Sequence, residues 1–391
     1  MDMRTIDDEA GFASISGEWD SLLQRSRQDG PFLRHEWLLA WWRAFHRPED
    51  RLMVLTCRDA GSGDLLGVLP AFETRSGAVS RACVVRLLGD DHVGSMGLGA
   101  FMGPEREQEV AQLLANALLA TDARRDVIDL RLMDAASPFF ARVQALPGKV
   151  VRTSADCHAS PCIALPAAWG DYLRDRVRKR VRRAAGHGRR QLERLGAEVQ
   201  TVSDACALPG ALDDMLRLWE DRMREVVGPA FCAGPECRAF FAEVLPVLSS
   251  QGRLRLRFIV IDGRRIAVDL ALRHRDTTHD LLAGFDSEWS RYSVSNVLGS
   301  YVVQGAIDEG CVTLDLGLGE QPYKFEWGVT DVARFSDVRL YSRSAAARIR
   351  RGADACVEAG TQAIEALPPS FRPPLRRAGK SIRTLARRLR S

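Results

Sequence analysis

The sequence predicts an α/β protein, with an α+β type of mixed sheet, built from two units in tandem. The length of 391 residues is roughly two to three times that of a common single domain. The order hairpin, strand, helix, strand is clear in the second half and fainter in the first. With 46% hydrophobic and 27% charged residues, the composition excludes disordered, collagen-like and disulfide-scaffold chains.

Positive charge is concentrated in two segments, although the net charge is only +4. Residues 171–195 include ten basic and three acidic side chains, and residues 371–391 include eight basic and no acidic ones. The remainder of the chain is therefore acidic. This distribution points to anionic partners for the two basic segments.

The sequence predicts a cytoplasmic protein. The N-terminus lacks the charged flank and apolar core of a secretory signal, and no stretch of 18 uncharged apolar residues predicts a membrane span. The nine cysteines are scattered and favour reduced thiols. Although Cys157 and His158 are adjacent, we expect no metal, because zinc sites draw on tighter groups of ligands.

Residues 1–150 form the predicted first unit. Gly30 and Pro31 divide residues 19–45 into two helices. The second helix carries an aromatic stripe, whose tryptophans are predicted core residues. Two alternating strands flank a glycine-rich turn, and a helix and a strand follow. The predicted elements are helices within 19–45, strands 52–57 and 65–72, helix 110–120 and strand 127–132.

Residues 151–166 are polar, contain two prolines and are predicted to be a linker. Residues 167–345 form the second unit, and residues 346–391 a basic helical tail. In the second unit a helix must cross over between two strands of one mixed sheet. Its predicted elements are a basic helix over 169–195, helices 211–226 and 236–249, hairpin strands 254–261 and 266–272, strand 279–285, helix 293–309, and strands 312–318 and 332–341.

The turn that enters the crossover helix is a candidate anion site. Amide groups point outward at a helix N-terminus, and the helix dipole favours negative charge there. Ser295 and Asn296 are good capping residues, and Arg291 supplies a cation one turn earlier. An ordinary cap with an exposed arginine accounts for the same residues, and the sequence favours that simpler reading.

A second candidate site follows the crossover helix. Asp315 ends an apolar strand and leads into a glycine-containing loop that holds Glu320, Tyr323 and Lys324. These groups can accept a proton, donate a proton and bind an anion. A purely structural role is an equal alternative, in which Asp315 accepts hydrogen bonds from loop amides and Lys324 forms an ion pair with a neighbouring acid. Asp269 is a third candidate, because its strand face otherwise carries only small alanines.

Four motifs are distributed along both units. They are Gly30-Pro31-Phe32-Leu33-x-x-Glu36-Trp37-Leu38, the Arg-rich helix after residue 173, Phe285-Asp286-x-x-Trp289-x-Arg291-Tyr292-Ser293, and Leu314-Asp315 through Gly319-Glu320-x-x-Tyr323-Lys324-x-x-Trp327-Gly328. Together these motifs resemble the bacterial GNAT-type acyltransferase family labelled cellulose-biosynthesis (CelD/BcsL-type) acetyltransferases. The resemblance covers most of residues 19–341, and its last motif is fairly specific.

The resemblance implies tandem GNAT-like domains, similar to the Fem peptidyltransferases, with a degenerate first domain and acyl-CoA bound by the second. The CoA pyrophosphate then lies on the turn 291–297, and a strand amide polarises the thioester carbonyl. The chain has Ser295 where the family usually has glycine, which narrows the space for phosphate. The implied cofactor-binding residues are Leu282, Gly284, Phe285, Arg291, Tyr292, Ser293, Ser295, Asn296 and Val297.

The predicted reaction is acyl transfer from acyl-CoA to an amine or hydroxyl of a small-molecule, sugar or biosynthetic acceptor. Asp315 or Glu320 is the predicted base, Tyr323 the acid and Lys324 the acceptor anchor. The acceptor is expected to be phosphorylated or nucleotide-linked, in polysaccharide or natural-product biosynthesis.

Two rival functions remain open at this point. A Fem-like enzyme would take its acyl group from aminoacyl-tRNA, although the basic helix lacks the interleaved aromatic residues that favour nucleic acid. A non-catalytic accessory protein would bind the inner membrane face through residues 371–391. That tail has an apolar side and a basic side, and it can equally pack on the protein or fray.

Overall fold

The computed structural model describes residues 1–76, 81–90, 92–119, 125–146, 150–226 and 234–366. In these ranges thirteen strands form one mixed sheet with helices on both faces, which confirms the predicted fold class. The strands are β1 (Asp2–Ile6), β2 (Arg51–Arg58), β3 (Leu65–Ser76), β4 (Ala82–Leu87), β5 (Phe101–Met102), β6 (Val127–Asp134), β7 (Val150–Ala164), β8 (Glu198–Val202), β9 (Leu254–Ile261), β10 (Arg264–His274), β11 (Thr277–Phe285), β12 (Thr313–Asp315) and β13 (Asp331–Tyr341).

Twelve α-helices lie within the described ranges. They are α1 (Glu9–Ser14), α2 (Ser16–Arg25), α3 (His35–Phe45), α4 (Glu107–Ala117), α5 (Pro138–Gln144), α6 (Trp169–Asp175), α7 (Lys179–Arg194), α8 (Leu208–Val226), α9 (Pro235–Ser250), α10 (Val294–Asp308), α11 (Pro322–Phe325) and α12 (Ala345–Ala366). No helix of this part of the chain is long and apolar enough to cross a membrane.

Each half of the sheet contains the same arrangement. In the first half β2, β3 and β4 are antiparallel, and α4 crosses over to β6, which runs parallel to β4. In the second half β9, β10 and β11 are antiparallel, and α10 crosses over to β12, which runs parallel to β11. The predicted crossover and its fainter copy in the first half are therefore confirmed.

The two halves exchange their last strands. The order across the sheet is β1-β2-β3-β4-β6-β13-β7-β12-β11-β10-β9-β8, with β5 on β3. β7 follows the first half in the chain but pairs with β12, and β13 follows the second half but pairs with β6. β7 and β13 also pair with each other along most of their length.

The exchange of strands shows that the prediction of a linker over residues 151–166 is wrong. Residues 150–164 are strand β7, not an irregular linker. The prolines misled the prediction, since a proline such as Pro161 still offers its carbonyl, which accepts a 2.9 Å hydrogen bond from the Leu316 amide. The division of the chain into domains stays a prediction.

One hydrophobic cluster contains buried residues from both halves of the sheet and from the helices that pack on it. The aromatic stripe of α3 is buried, as predicted: Trp37 and Trp41 are 1% and 3% exposed. The Trp37 ring packs edge-on against Phe240 of α9, at 4.8 Å between ring centroids. Helices of the first and second halves therefore share one apolar layer.

The basic segment forms two helices and not one. α6 ends at Asp175 and α7 begins at Lys179. The Arg178 amide donates a 3.1 Å hydrogen bond to the Glu326 carbonyl, and a Cβ on Gly328 would lie 2.7 Å from the Arg176 carbonyl oxygen. The break is thus imposed by the segment after α11. In the tail, residues 345–366 are helical, whereas the predicted basic tail 371–391 lies outside the described residues.

The close approach of β11 to α8 yields a stability prediction. A Cβ on Gly284 would lie 2.5 Å from the Leu218 carbonyl oxygen, which is backbone and cannot rotate away. We expect Gly284→Ala to lower the free energy of unfolding by about 1–3 kcal/mol through overpacking. The measurement is urea unfolding followed by circular dichroism.

The matched control is Gly210→Ala, within the first turn of α8, where no atom lies within 4 Å of the new Cβ. This change should be neutral or stabilise by up to about 1 kcal/mol, because alanine is the better helix former. Equal unfolding curves for the two variants would contradict the predicted close packing.

Candidate functional site

The candidate site lies where β11 and β12 separate. β12 pairs with β11 over residues 277–279, so β11 continues from Asp280 to Phe285 without a partner on that side in the described chain. Leu281 is an extra residue on β11, because the register to β10 shifts between Leu270 and Ala271. Beyond β12 the chain turns at Gly317, whose φ is +72°. A Cβ there would lie 2.6 Å from the Asp280 carbonyl oxygen, so this turn requires glycine.

Two carboxylates meet on the face of the sheet that carries α10. Asp269 is 1% exposed, and no fixed donor among the described residues hydrogen-bonds either of its oxygens. Its nearest cation is Arg257, with Nη1 3.6 Å from Oδ2. Asp280 lies on the same face, opposite Ala271, which is two residues beyond Asp269 on β10.

The two carboxyl groups influence each other's ionisation. Burial, and after it the charge of Asp280, raise the pKa of Asp269 well above its usual range. Burial also raises the pKa of Asp280, to about 6, although the Lys324 charge opposes the rise. A proton held by Asp269 supplies the missing donor and leaves Asp280 as the group that ionises.

Asp315 is fully engaged by its neighbours. It accepts hydrogen bonds from the Ser160 hydroxyl, from the Gly317 amide at 2.9 Å and from His279 Nδ1 at 3.3 Å. Burial disfavours its charge, but the His279 contact outweighs this with help from the other donors, so the pKa of Asp315 is lowered. A carboxylate held in this way organises the loop and is a weak base.

Lys324 is buried and points into the same loop. Its Nζ donates to the Gly317 carbonyl at 2.8 Å and to the Leu318 carbonyl at 3.0 Å. Burial lowers its pKa. The amino group is therefore used to hold loop carbonyls, which argues against the predicted role of anchoring an acceptor.

Tyr323 and Glu320, the two remaining candidates of the loop, point to different parts of the structure. Tyr323 is 61% exposed, and loss of solvent around its hydroxyl, together with the nearby charge of Asp280, raises its pKa. Glu320 is exposed and forms a 3.2 Å ion pair with Arg334 of β13. The structure thus brings Tyr323, Lys324, Asp315 and Asp269 to one region and directs Glu320 toward β13.

The predicted anion turn is present, but its cap differs from the prediction. Ser293, in the left-handed region with φ +54°, precedes α10, and no side chain caps the helix. Ser295 and Asn296 lie inside the first helical turn. The Asn296 and Val297 amides bond to the Ser293 carbonyl, whereas no hydrogen bond from the amides of Val294 and Ser295 occurs within the described residues.

Helix α7 packs directly beside this turn. A Cβ on Gly188 would overlap the Tyr292 carbonyl, so glycine in the middle of α7 permits the close approach. From α7, Arg189 stacks on the Tyr301 ring at 4.5 Å and donates to Gln304. Arg291 is exposed and stacks on Tyr292 at 4.8 Å. Cationic side chains therefore lie on the turn itself and on α7, the helix that packs against it.

Sequence reasoning missed Asp280, Ser160 and the contact of His279 with Asp315. Asp280 lies in a predicted strand, but regular alternation would place it on the opposite face from Asp269, and only the bulge at Leu281 brings it to the same face. Ser160 belongs to the segment interpreted as a linker. Only a three-dimensional contact links these residues to the loop.

A family of known proteins matches the part of the chain that contains the candidate site. Residues 175–325 match the family described as acetyltransferase (GNAT) domain. No curated protein sequence matches the chain. The chain therefore carries a GNAT-type acyltransferase domain, which confirms the predicted enzyme class. The finer cellulose-biosynthesis assignment stays a prediction.

Solved structures resemble most of the chain in fold. FemX is 11% identical, with 86% of this chain and 97% of that chain covered and a TM-score of 0.57. The C-terminal domain (DUF2156) of a putative lysylphosphatidylglycerol synthetase from Agrobacterium fabrum is 12% identical over 88% and 97%, with a TM-score of 0.51. L-PGS from Bacillus licheniformis is 10% identical over 85% and 93%, with a TM-score of 0.50. At these identities the likeness shows the fold alone.

The carboxylate pair predicts a pH dependence of stability. The folded-state pKa of Asp280, about 6, lies above its usual value of 3.8, so the unfolded chain binds fewer protons between these values. The free energy of unfolding should therefore fall as pH rises from about 4 to 6. Asp280→Asn should reduce this fall by at most about 2 kcal/mol. Urea unfolding between pH 4 and 8 measures it.

Asp308→Asn, which removes an exposed carboxylate of α10, is the control and should keep the wild-type dependence. If Asp280→Asn shows the same pH dependence as the wild type, the raised pKa of Asp280 is wrong.

Proposed function

We propose that this GNAT domain transfers an acyl group from acyl-CoA to the amino group of a small-molecule acceptor, with Asp280 as the general base. The observation that carries the proposal is the position of Asp280. It lies at the bulge where β11 loses its β12 partner, and its pKa of about 6 suits proton transfer near neutral pH.

The acyl-CoA donor fits along β11 and the N-terminus of α10. The backbone of Leu282 and Gly284 lies on the unpaired edge of β11 and can pair with an extended ligand and polarise its carbonyl. The amides of Val294 and Ser295, with the cations of α7 nearby, suit a pyrophosphate. Ser295 is exposed, and its side chain replaces the glycine of the resembled family at this turn.

Acyl transfer at this site requires two proton transfers. Asp280 takes one proton from the acceptor ammonium, and the free amine attacks the thioester carbonyl. The new C–N bond forms as the C–S bond breaks, the departing thiolate takes the proton of the Tyr323 hydroxyl, and the second amine proton restores that hydroxyl. Tyr323 lies close enough to Asp280 for the charge of that carboxylate to raise its pKa, and it is the proposed proton donor to the thiolate.

The structure favours Asp280 over the two bases predicted from sequence. Asp315 has three hydrogen-bond donors and a lowered pKa, and Glu320 is paired with Arg334. Asp269 is a positioning residue in this scheme. The proton it holds hydrogen-bonds the carboxylate of Asp280.

An aminoacyl-tRNA donor is the second candidate. It is supported by the exposed basic residues of α7 that form no ion pair within the described residues, namely Lys179, Arg183, Arg190 and Arg194. A polyanion would neutralise this surface. Acyl-CoA should raise the Tm if it is the donor, whereas tRNA alone should do so if the second candidate is correct.

The acceptor and the location of the protein are further proposals. A phosphorylated or nucleotide-linked acceptor would complement the basic residues around the site. Cytoplasmic location with contact to anionic membrane through residues 371–391 is tested by liposome flotation. Equal flotation with and without the tail would exclude this contact.

Activity is measured as thiol release from a panel of acyl-CoA donors and amine acceptors. We expect Asp280→Asn to lower kcat by about 10²–10⁴-fold, the usual contribution of a general base, with unchanged acyl-CoA affinity. Asp308→Asn should retain wild-type turnover. Undiminished turnover of Asp280→Asn, or a loss confined to Asp315→Asn, would refute the assignment.

The anion turn has its own test. Ser295→Asp places a carboxylate beside the free amides and should weaken acyl-CoA binding by about tenfold, through repulsion of the pyrophosphate and occupation of the helix N-terminus. Isothermal titration calorimetry measures the affinity. Ser203→Asp, an equal charge change at an exposed site before α8, should bind like the wild type. If both variants bind equally, acyl-CoA does not use this turn.

A further inference from the structure

Cys157, His158 and Asp337 lie together in the exchanged strands, outside the proposed catalytic site. Cys157 and His158 belong to β7, and Asp337 belongs to β13. The three ligand atoms, a sulfur, an imidazole nitrogen and a carboxylate oxygen, all lie within 4.8 Å of one another. His158 Nε2 is 3.0 Å from Asp337 Oδ1.

An irregular ladder makes this grouping possible. Successive residues of a regular strand point to opposite faces, so Cys157 and His158 would normally be separated by the sheet. Here Phe335 pairs with His158 and Asp337 pairs with Ser154, so one residue of β13 lies opposite three of β7. The bulge allows the thiol and the imidazole to approach the same carboxylate.

A second irregularity holds the carboxylate in place. Between β13 and β6 the register shifts between Ser336 and Val338, and Leu132 adopts a left-handed conformation with φ +59°. The Leu132 amide donates a 3.0 Å hydrogen bond to Asp337 Oδ1. Arg131 lies 3.6 Å from Asp337 and 3.6 Å from Asp90, so two carboxylates share its charge.

The three side chains differ in burial, and the cluster is open to solvent on the side of Cys157. Asp337 is buried, His158 is half-buried, and Cys157 is exposed with its Sγ 3.8 Å from the Phe335 carbonyl oxygen. An ion can therefore enter from solvent on the cysteine side. A water molecule can complete the coordination there.

We propose that Cys157, His158 and Asp337 form a zinc site that joins β7 to β13. Thiolate, imidazole and carboxylate are the ligands that zinc combines in proteins, and three of them with a water complete a tetrahedron. Zinc–ligand bonds are about 2.0–2.3 Å long, so the ligand atoms of a tetrahedral site lie closer together than 4.8 Å. A pair of ligand atoms now at that separation would have to approach by about 1 Å. Rotation of the exposed Cys157 side chain supplies this movement.

The site crosses the pairing of β7 with β13, which joins the two exchanged strands directly, so bound zinc would stabilise the junction of the two halves. This role is independent of acyl transfer. From sequence the site could not be predicted, because Asp337 is 179 residues away from His158.

The test uses the full-length protein, freed of metal by chelator, with Zn²⁺ alone as the titrant at pH 8. The alkaline pH is chosen because the pairing with Asp337 raises the pKa of His158 to about 9, and zinc must displace that proton. We expect one zinc ion per chain and a Tm rise of a few degrees. Co²⁺ should give a thiolate-to-metal charge-transfer band.

Cys157→Ser is the decisive variant, because its side chain is exposed and its removal should leave the fold intact. It should bind Zn²⁺ at least about 100-fold more weakly, since even the loss of an outer-shell partner costs 10–100-fold, and it should lack the Co²⁺ band. The control Cys206→Ser removes another exposed free thiol and should behave like the wild type.

Equal Zn²⁺ affinity of Cys157→Ser and Cys206→Ser would overturn the proposal, as would the absence of binding by the wild type. His158→Gln provides an independent check and should also weaken binding, with circular dichroism confirming that both variants are folded. Thiol release from acyl-CoA is measured on the same samples. A failure of the zinc site is thereby separated from a failure of the proposed activity.

Discussion

The hydrogen bonding of β7 to β13 and β12 is the constraint on which the rest of the structure depends. Each half of the sheet is completed by a strand of the other half, so neither has all its strands alone. β7 supplies the Ser160 hydroxyl to Asp315 and the Pro161 carbonyl to Leu316. The chain that leaves β12 is therefore held by a strand that follows the first half in sequence.

The ionisation of the site follows from the way donors are distributed around this loop. Asp315 receives the donors of Ser160, His279 and Gly317, and Lys324 is occupied by loop carbonyls. Asp280 is half-buried next to Asp269 and receives no comparable set of donors from the described residues, so loss of solvent disfavours its charge. Carboxylates on adjacent strands thus acquire opposite properties, one structural and one suited to proton transfer.

The first half of the chain contributes to the site, although its own crossover lies far along the sheet. The Phe32 ring lies 6.0 Å from that of His279, and a Cβ on Gly94 would lie 3.2 Å from a methyl group of Leu281. Both contacts flank the opening between β11 and β12. The packing of the first half therefore helps to shape this opening.

The sequence by itself determined the mixed α/β class, the crossover helix, the buried aromatic stripe of α3 and the grouping of Asp315, Tyr323 and Lys324, because these depend on local periodicity and chain proximity. Tertiary structure decided that residues 150–164 form a strand, that the basic segment breaks between α6 and α7, and that Asp280 is the more basic carboxylate. The reason is physical. Strand pairing, desolvation and hydrogen bonds between residues far apart in sequence set these properties, and local patterns do not record them.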